Sequence, residues 1–181
     1  HVVRQIRGPK NSYVRLKIIP AKSTSDTIRT IQIKRDQVKL EEQSAHKQVV
    51  TISHEGQSYK IGIIEIPTFY IDFNAYNQGD ANYKSTTRDV KKLLAQLKQE
   101  QIDGLIIDLR NNGGGSLQEA NQLTGLFLTS GPTVQVKTKR KIVRFFDEDP
   151  GIEYTGPLVV MVNRMSASAS EIFAGAIMDY Q

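Results

Sequence analysis

The sequence has no cysteine, no tryptophan and only three histidines among its 181 residues. Without cysteine there is no disulfide scaffold, no thiolate zinc site and no cysteine nucleophile, and a reducing or an oxidising compartment is equally compatible. The histidines are His1, His46 and His54, and none falls in a loop that follows a core strand. They give no support to a Ser-His-Asp triad. No His/Asp/Glu cluster has metal-ligand spacing, so no metal and no cofactor is implied. No apolar run approaches membrane-spanning length. Internal repeats and low-complexity segments are missing too. The chain opens on HVVRQIRG, which is not a signal peptide and says nothing about export.

What is present suits one substantial core, with 39% hydrophobic residues and mixed charges. The net charge of +5 is uneven, +7 over residues 1–60 and −2 over the remainder. A basic first third fits nucleic acid or anionic lipid. Here, however, the cations alternate with apolar residues, as in Val14-Arg15-Leu16-Lys17-Ile18, which the solvated face of a small sheet explains. No aromatic–basic platform accompanies them, so nucleic acid is not an expected partner.

In chain order, Val2 to Ile6 reads as a helix end closed by Gly8 and Pro9, followed by strands at Tyr13–Ile19, Thr30–Lys34 and Val38–Glu41. From Val49 the pattern predicts a hairpin, Val49–Ser53 and Tyr59–Ile66 across Glu55-Gly56-Gln57, and then a long loop from Thr68 to Tyr83. Thr86-x-x-Asp89 reads as a capping box before a helix with Val90, Leu93, Leu94 and Leu97 inward. Gly104–Leu109 reads as a buried strand, Ser116-x-x-Glu119 as the cap of a further helix, and Val134–Val136, Ile142–Phe146 and Leu158–Val162 as more strands. This strand–helix–strand alternation predicts an α/β fold with a mainly parallel sheet.

The stretch that organises the chain is Pro157 to Tyr180, PLVVMVNRMSASASEIFAGAIMDY. A buried strand runs through five small residues into a helix, presenting a hydroxyl where unpaired backbone N–H groups favour negative charge. Ser168 is therefore a candidate nucleophile, with Ala169 N–H as an oxyanion donor. Ser168 with Glu171 three residues on is equally a capping box, and the local pattern leaves both readings open. Upstream, Asn112-Gly113-Gly114-Gly115 allows three readings: a phosphate cradle, a structural turn, or a second oxyanion site. The cradle fits worst, since neither G-x-G-x-x-G nor a following Gly-Lys-Ser/Thr is present. A serine without histidine needs a neutral lysine as its base. No lysine follows Lys141.

The words S-A-S-A-S-E-I and D-L-R-N-N-G-G-G, with VVRQIRGPK…VRLKI at the start, closely resemble the tail-specific, or carboxyl-terminal processing, serine peptidases. The likeness is to their long periplasmic branch and extends over nearly the whole chain. The resemblance implies a crotonase/ClpP-like α/β core, with mixed, mainly parallel sheet, at residues 43–181. Residues 1–42 would be the C-terminal part of a PDZ domain before it. It implies Ser168 as nucleophile and Asp179 and Glu171 at supporting acidic positions, although Asp179 is equally a helix-end surface carboxylate and Glu171 a cap. It implies oxyanion donors at Gly114 or Gly115 together with Ala169. The base would be a lysine in a Gly-Lys-Gly turn that is not in this chain. Implied partners are polypeptides with apolar C-terminal tails, an adaptor or regulator protein, and a peripheral membrane association in the periplasm. The alternative is a non-catalytic peptide-binding or scaffold protein on the same fold, holding tails by strand addition.

With its base lysine missing, the 181-residue chain by itself is expected to be inactive. Ser168-dependent cleavage of an apolar-tailed peptide by the purified chain is the result that would overturn this.

Overall fold

The computed structural model describes residues 5–20, 28–36, 43–129, 131–146 and 151–180. The chain divides into two units, His1–Lys39 and Leu40–Gln181. The strand expected over Val38–Glu41, the loop at 23–27, and most of the helix end expected at Val2–Ile6 lie outside the described residues.

In the first unit, β1 (Tyr13–Ile18) pairs antiparallel with β2 (Arg29–Lys34), Tyr13 opposite Lys34 and Ile18 opposite Arg29. Alternation of cations and apolar residues is what a two-faced ribbon requires, and Ile31 and Ile33 of β2 are both exposed. One side chain gathers the unit's base. The Arg35 guanidinium donates to the carbonyls of Gln5, Ile6 and Tyr13 at 3.0, 2.7 and 2.9 Å and to the Ser12 hydroxyl at 2.9 Å.

The second unit holds a four-stranded sheet in the order β3-β4-β5-β8, built from His46–His54, Gln57–Glu65, Gly104–Asp108 and Leu158–Met161. The β3–β4 pair is antiparallel, whereas β4–β5 and β5–β8 are parallel. The sheet is thus mixed and mainly parallel, as expected for an α/β core. Register places His54 opposite Gln57, so the β3–β4 turn is the two residues Glu55 and Gly56, both at positive φ (49° and 78°). That is the turn whose twist suits a hairpin. A second hairpin, β6 (Pro132–Lys137) with β7 (Ile142–Phe146), stands apart from the sheet.

The parallel neighbours need crossovers, and helices supply them. Between β4 and β5 the helix expected after Thr86 is present, but Thr68 to Tyr83 is not the plain loop expected. It carries a short helix α1 (Phe73–Asn77), capped by Asp72, and α2 (Thr86–Gln99) follows. After β5 comes α3 (Leu117–Gly125), and after β8 comes α4 (Ala169–Asp179). Val90, Leu94 and Leu97 of α2, Leu123 of α3, and Phe173 and Ile177 of α4 bury against Ile64, Leu105 and Ile107 of the sheet. Phe127 meets Phe173 edge to face at 5.8 Å.

Of the two helix caps predicted upstream of the site, one is displaced and the other stands. The N-cap of α2 is Ser85, one residue early, with its Oγ accepting the Arg88 N–H. Thr86 is fully buried instead, its hydroxyl accepting the Tyr70 N–H at 2.7 Å. Asp89 takes the Tyr70 hydroxyl at 2.7 Å and the Lys84 ammonium at 3.1 Å rather than closing a box. Ser116 does cap α3 through the Glu119 N–H, but the Glu119 carboxylate turns away from its own helix to accept the Thr87 N–H of α2 at 2.8 Å. Glu119 is fully buried, and among the described residues its other oxygen has no partner.

Burial raises the Glu119 pKa. Above the ordinary glutamate value of about 4.3, the folded state therefore holds a proton that the unfolded chain has released. Stability must fall as pH rises from that value through the raised folded pKa. Urea midpoints compared between pH 4 and 8 should show Glu119→Gln relieved of this decline. Parallel curves for the two proteins would sink the assignment.

Candidate active site

The C-terminal ends of β5 and β8 open into two turns that face each other. The first follows Asp108, whose carboxylate accepts the Arg110 guanidinium at 2.7 to 3.1 Å and its backbone N–H at 3.0 Å. Those bonds hold the Asp108 carboxyl below the usual carboxylate range. Asn111, at φ +63°, reverses the chain, and its side chain and backbone pair with Asn163 of the second turn at 2.9 and 3.0 Å.

Asn112 binds the two turns together and is fully buried. Its side-chain amide donates to the Ile66 carbonyl at 2.7 Å and its Oδ1 accepts the Gly114 N–H at 2.8 Å. Its backbone carbonyl accepts both the Ala167 N–H at 3.1 Å and the Ser170 hydroxyl at 3.0 Å. The glycine turn is pinned on its outer side as well. Gly114 C=O takes the Phe69 N–H and the Thr68 hydroxyl, and Ser116 N–H donates to Phe69 C=O.

The serine word divides by function. Ser166 Oγ donates to Leu109 C=O at 2.8 Å and accepts the Asn163 N–H at 2.9 Å. Ser170 Oγ is spent on Asn112, as above. The outer two hydroxyls are therefore anchors, and Ser168 between them is left exposed. Its backbone is at φ +57°, ψ −115°, a region that costs a non-glycine residue about 1–3 kcal/mol and clusters at functional sites. A strained strand-to-helix turn of this kind is how a nucleophilic serine is thrust clear of its sheet.

Ala169, 1% exposed, begins α4, and among the described residues its N–H has no acceptor. Glu171 Oε2 accepts the Ser168 N–H at 2.7 Å, so this carboxylate braces the elbow from within the first turn. Gly114 lies against the elbow, but its N–H is occupied by Asn112. What it supplies is the absence of a side chain, since a Cβ there would lie 2.7 Å from Ser168 Cβ and 2.8 Å from Ala167 C=O. Gly115 is exposed, and among the described residues its N–H has no acceptor. Asp179 does not join the group. It is the last residue of the eleven-residue α4 and is exposed, about 15 Å along the axis from the first. The Tyr180 hydroxyl anchors that far end on Pro132 C=O at 3.1 Å.

Asn112, Ser166, Ser170 and Asn163 were missed as site residues. The alternation S-A-S-A-S carried the signal for two of them, because a cap needs only one hydroxyl. Nothing local marked Asn112, whose partners lie 46 and 58 residues away. His46 and His54 lie on β3, the edge opposite β8, about 14 Å across the sheet at three strand spacings. His46 faces Glu65 at 3.2 Å. Among the described residues no group of three His, Asp or Glu side chains could hold a metal ion.

Three comparisons with known proteins bear on this geometry. Residues 60–181 match the sequence profile of Peptidase family S41. The tail-specific protease of Haemophilus influenzae is 43% identical over 181 residues, covering 99% of this chain and 23% of that protein. The carboxyl-terminal-processing protease of Picosynechococcus sp. is 33% identical over 175 residues, covering 97% of this chain and 37% of that one. The chain thus spans between about a quarter and two-fifths of the length of these relatives. Among solved structures, the photosystem II D1 C-terminal processing protease superposes with a TM-score of 0.68 at 24% identity, over 96% of this chain and 42% of that chain, and so shares its fold.

Replacing Asn112 by alanine strands the buried Ile66 carbonyl and Gly114 N–H together. Each orphaned buried group costs about 1–3 kcal/mol, so Asn112→Ala should lower the urea-derived stability by about 2–6 kcal/mol. A loss within error of zero would mean that the two turns are held by something else.

Proposed function

We propose, for a chain that belongs to peptidase family S41, a serine endopeptidase chemistry in which Ser168 is the nucleophile. The observation that carries it is an exposed hydroxyl on a strained positive-φ elbow, at the start of a helix and against a glycine that leaves it room. Ser168 Oγ attacks the scissile carbonyl carbon and passes its proton to a neutral lysine, which the family resemblance puts in a Gly-Lys-Gly turn one strand beyond α4. The N–H groups of Ala169 and Gly115 receive the oxyanion. The peptide C–N bond then breaks, the departing amine takes the proton, and water releases the acyl group from Ser168.

The negative charge is better met by these fixed amides than by water, because they need no reorganisation as it develops. Glu171 maintains the elbow rather than touching substrate, and Asp179 has no part in the chemistry. Substrates in this reading are periplasmic polypeptides with apolar C-terminal tails; the names of the two relatives support the C-terminal part of it, a tail-specific and a carboxyl-terminal-processing protease. Residues 1–42 are read as the closing part of a PDZ domain, which the antiparallel β1–β2 ribbon suits. An adaptor or regulator and a peripheral membrane association accompany the same reading.

In the full-length protein, Ser168→Ala should reduce cleavage of an apolar-tailed peptide by about 10³-fold or more, with circular dichroism unchanged. Retained cleavage would remove Ser168 from the mechanism and favour the peptide-binding alternative for this elbow.

A further inference from the structure

A groove of about 800 Å³ lies between α2, α3 and the β6–β7 hairpin, outside the group of residues around Ser168. Its walls are fixed. The hairpin is tied to α3 by Asn121, which donates to Phe146 C=O at 2.9 Å and accepts the Thr133 hydroxyl. On the α2 side, the Arg88 guanidinium sits 4.6 Å above the Tyr83 ring and donates to Ala81 C=O, while Lys91 pairs with Glu153 at 2.6 Å.

The groove carries three cations, Arg88, Lys91 and Arg144, and among the described residues no carboxylate lines it. Arg88 and Lys91 are held in place by their partners. The Arg144 side chain is exposed and, among the described residues, has no hydrogen bond or ion pair. Beside it Phe145 and Phe146 leave 37% and 51% of their surface open. An exposed guanidinium in a groove that also exposes two phenyl rings is complementary to a carboxylate next to an apolar side chain.

The groove is also within reach of the nucleophile. Leu117 lines it, and Gly114, three residues earlier, lies against Ser168. Three residues span at most about 11 Å, which an extended polypeptide covers in about three or four residues.

We propose that this groove receives a segment of the polypeptide substrate, a few residues from the bond cut at Ser168, in which an acidic side chain adjoins an aromatic or branched apolar one. The proposal rests on the peptidase reading for the identity of its occupant and adds a selectivity for acidic–apolar sequence near the cut. Arg144 is the residue that reads the acidic side chain.

Binding tests it without requiring cleavage. Full-length protein carrying Ser168→Ala is titrated into a fluorescein-labelled twelve-residue peptide containing one Glu-Phe pair, and anisotropy is recorded. Arg144→Glu, and Glu→Gln in the peptide, should each weaken binding about five- to tenfold. Made together they should weaken it little further, because each removes the same pair. Arg144→Lys should retain most of the affinity, and the preference for the Glu over the Gln peptide should persist when the peptide's C-terminus is amidated. Equal affinity for the Glu and Gln peptides, an effect only of the terminal carboxylate, or displacement of the peptide by a single-stranded oligonucleotide would overturn it. Cleavage retained by Ser168→Ala with binding intact tells against the Ser168 chemistry alone. Binding that ignores Arg144 while Ser168-dependent cleavage persists tells against the groove alone.

Discussion

The hydrogen bonds of one buried asparagine set the geometry on which the rest depends. Asn112 has a donor and an acceptor on its side chain and an acceptor on its backbone, and all three are used in holding separate segments at fixed distances. A hydrophobic residue of the same size could fill the space but could not set the glycine turn against the serine turn, since packing is not directional. Burial strengthens the constraint. Inside the core the alternative to each of these bonds is an unpaired polar group, and that penalty exceeds the bond's net worth in water.

Seen from Asn112, the rest of the core is a frame. Parallel pairing of β4, β5 and β8 brings the ends of two strands side by side, the place where open α/β sheets bind ligands. Helices α2 and α3 are locked together by Glu119 reaching the N-terminus of the other helix. That bond keeps α3, and hence the end of the glycine turn, from sliding. Strain at Ser168 is tolerable because neighbours on both sides are fixed by Ser166 and Ser170.

The fold was legible because its signals are local. The apolar run of β8, the stripe on α2 and the Glu55-Gly56 turn each specify an element within a few residues. The elbow was legible for the same reason, as small residues between a strand and a helix. What failed was anything that depended on where a side chain turned in three dimensions. Thr86 and Asp89 fit a cap by spacing, yet Tyr70, brought alongside by the sheet, claims both. Asp179 belonged to the family's pattern, and helix geometry carries it to the other end of α4. Asn112 looked like one more turn residue because its partners come from β4 and from beyond β8.

The contacts that shape the elbow join residues 46 to 58 positions apart. Such closures come late in folding, since distant segments must first be brought together at an entropic cost. A newly made chain with α4 already wound would still have an ordinary serine at 168, with no glycine turn beside it and nothing to hold its backbone in the strained conformation. In the proposed reading, hydrolytic competence is thereby tied to completion of the sheet.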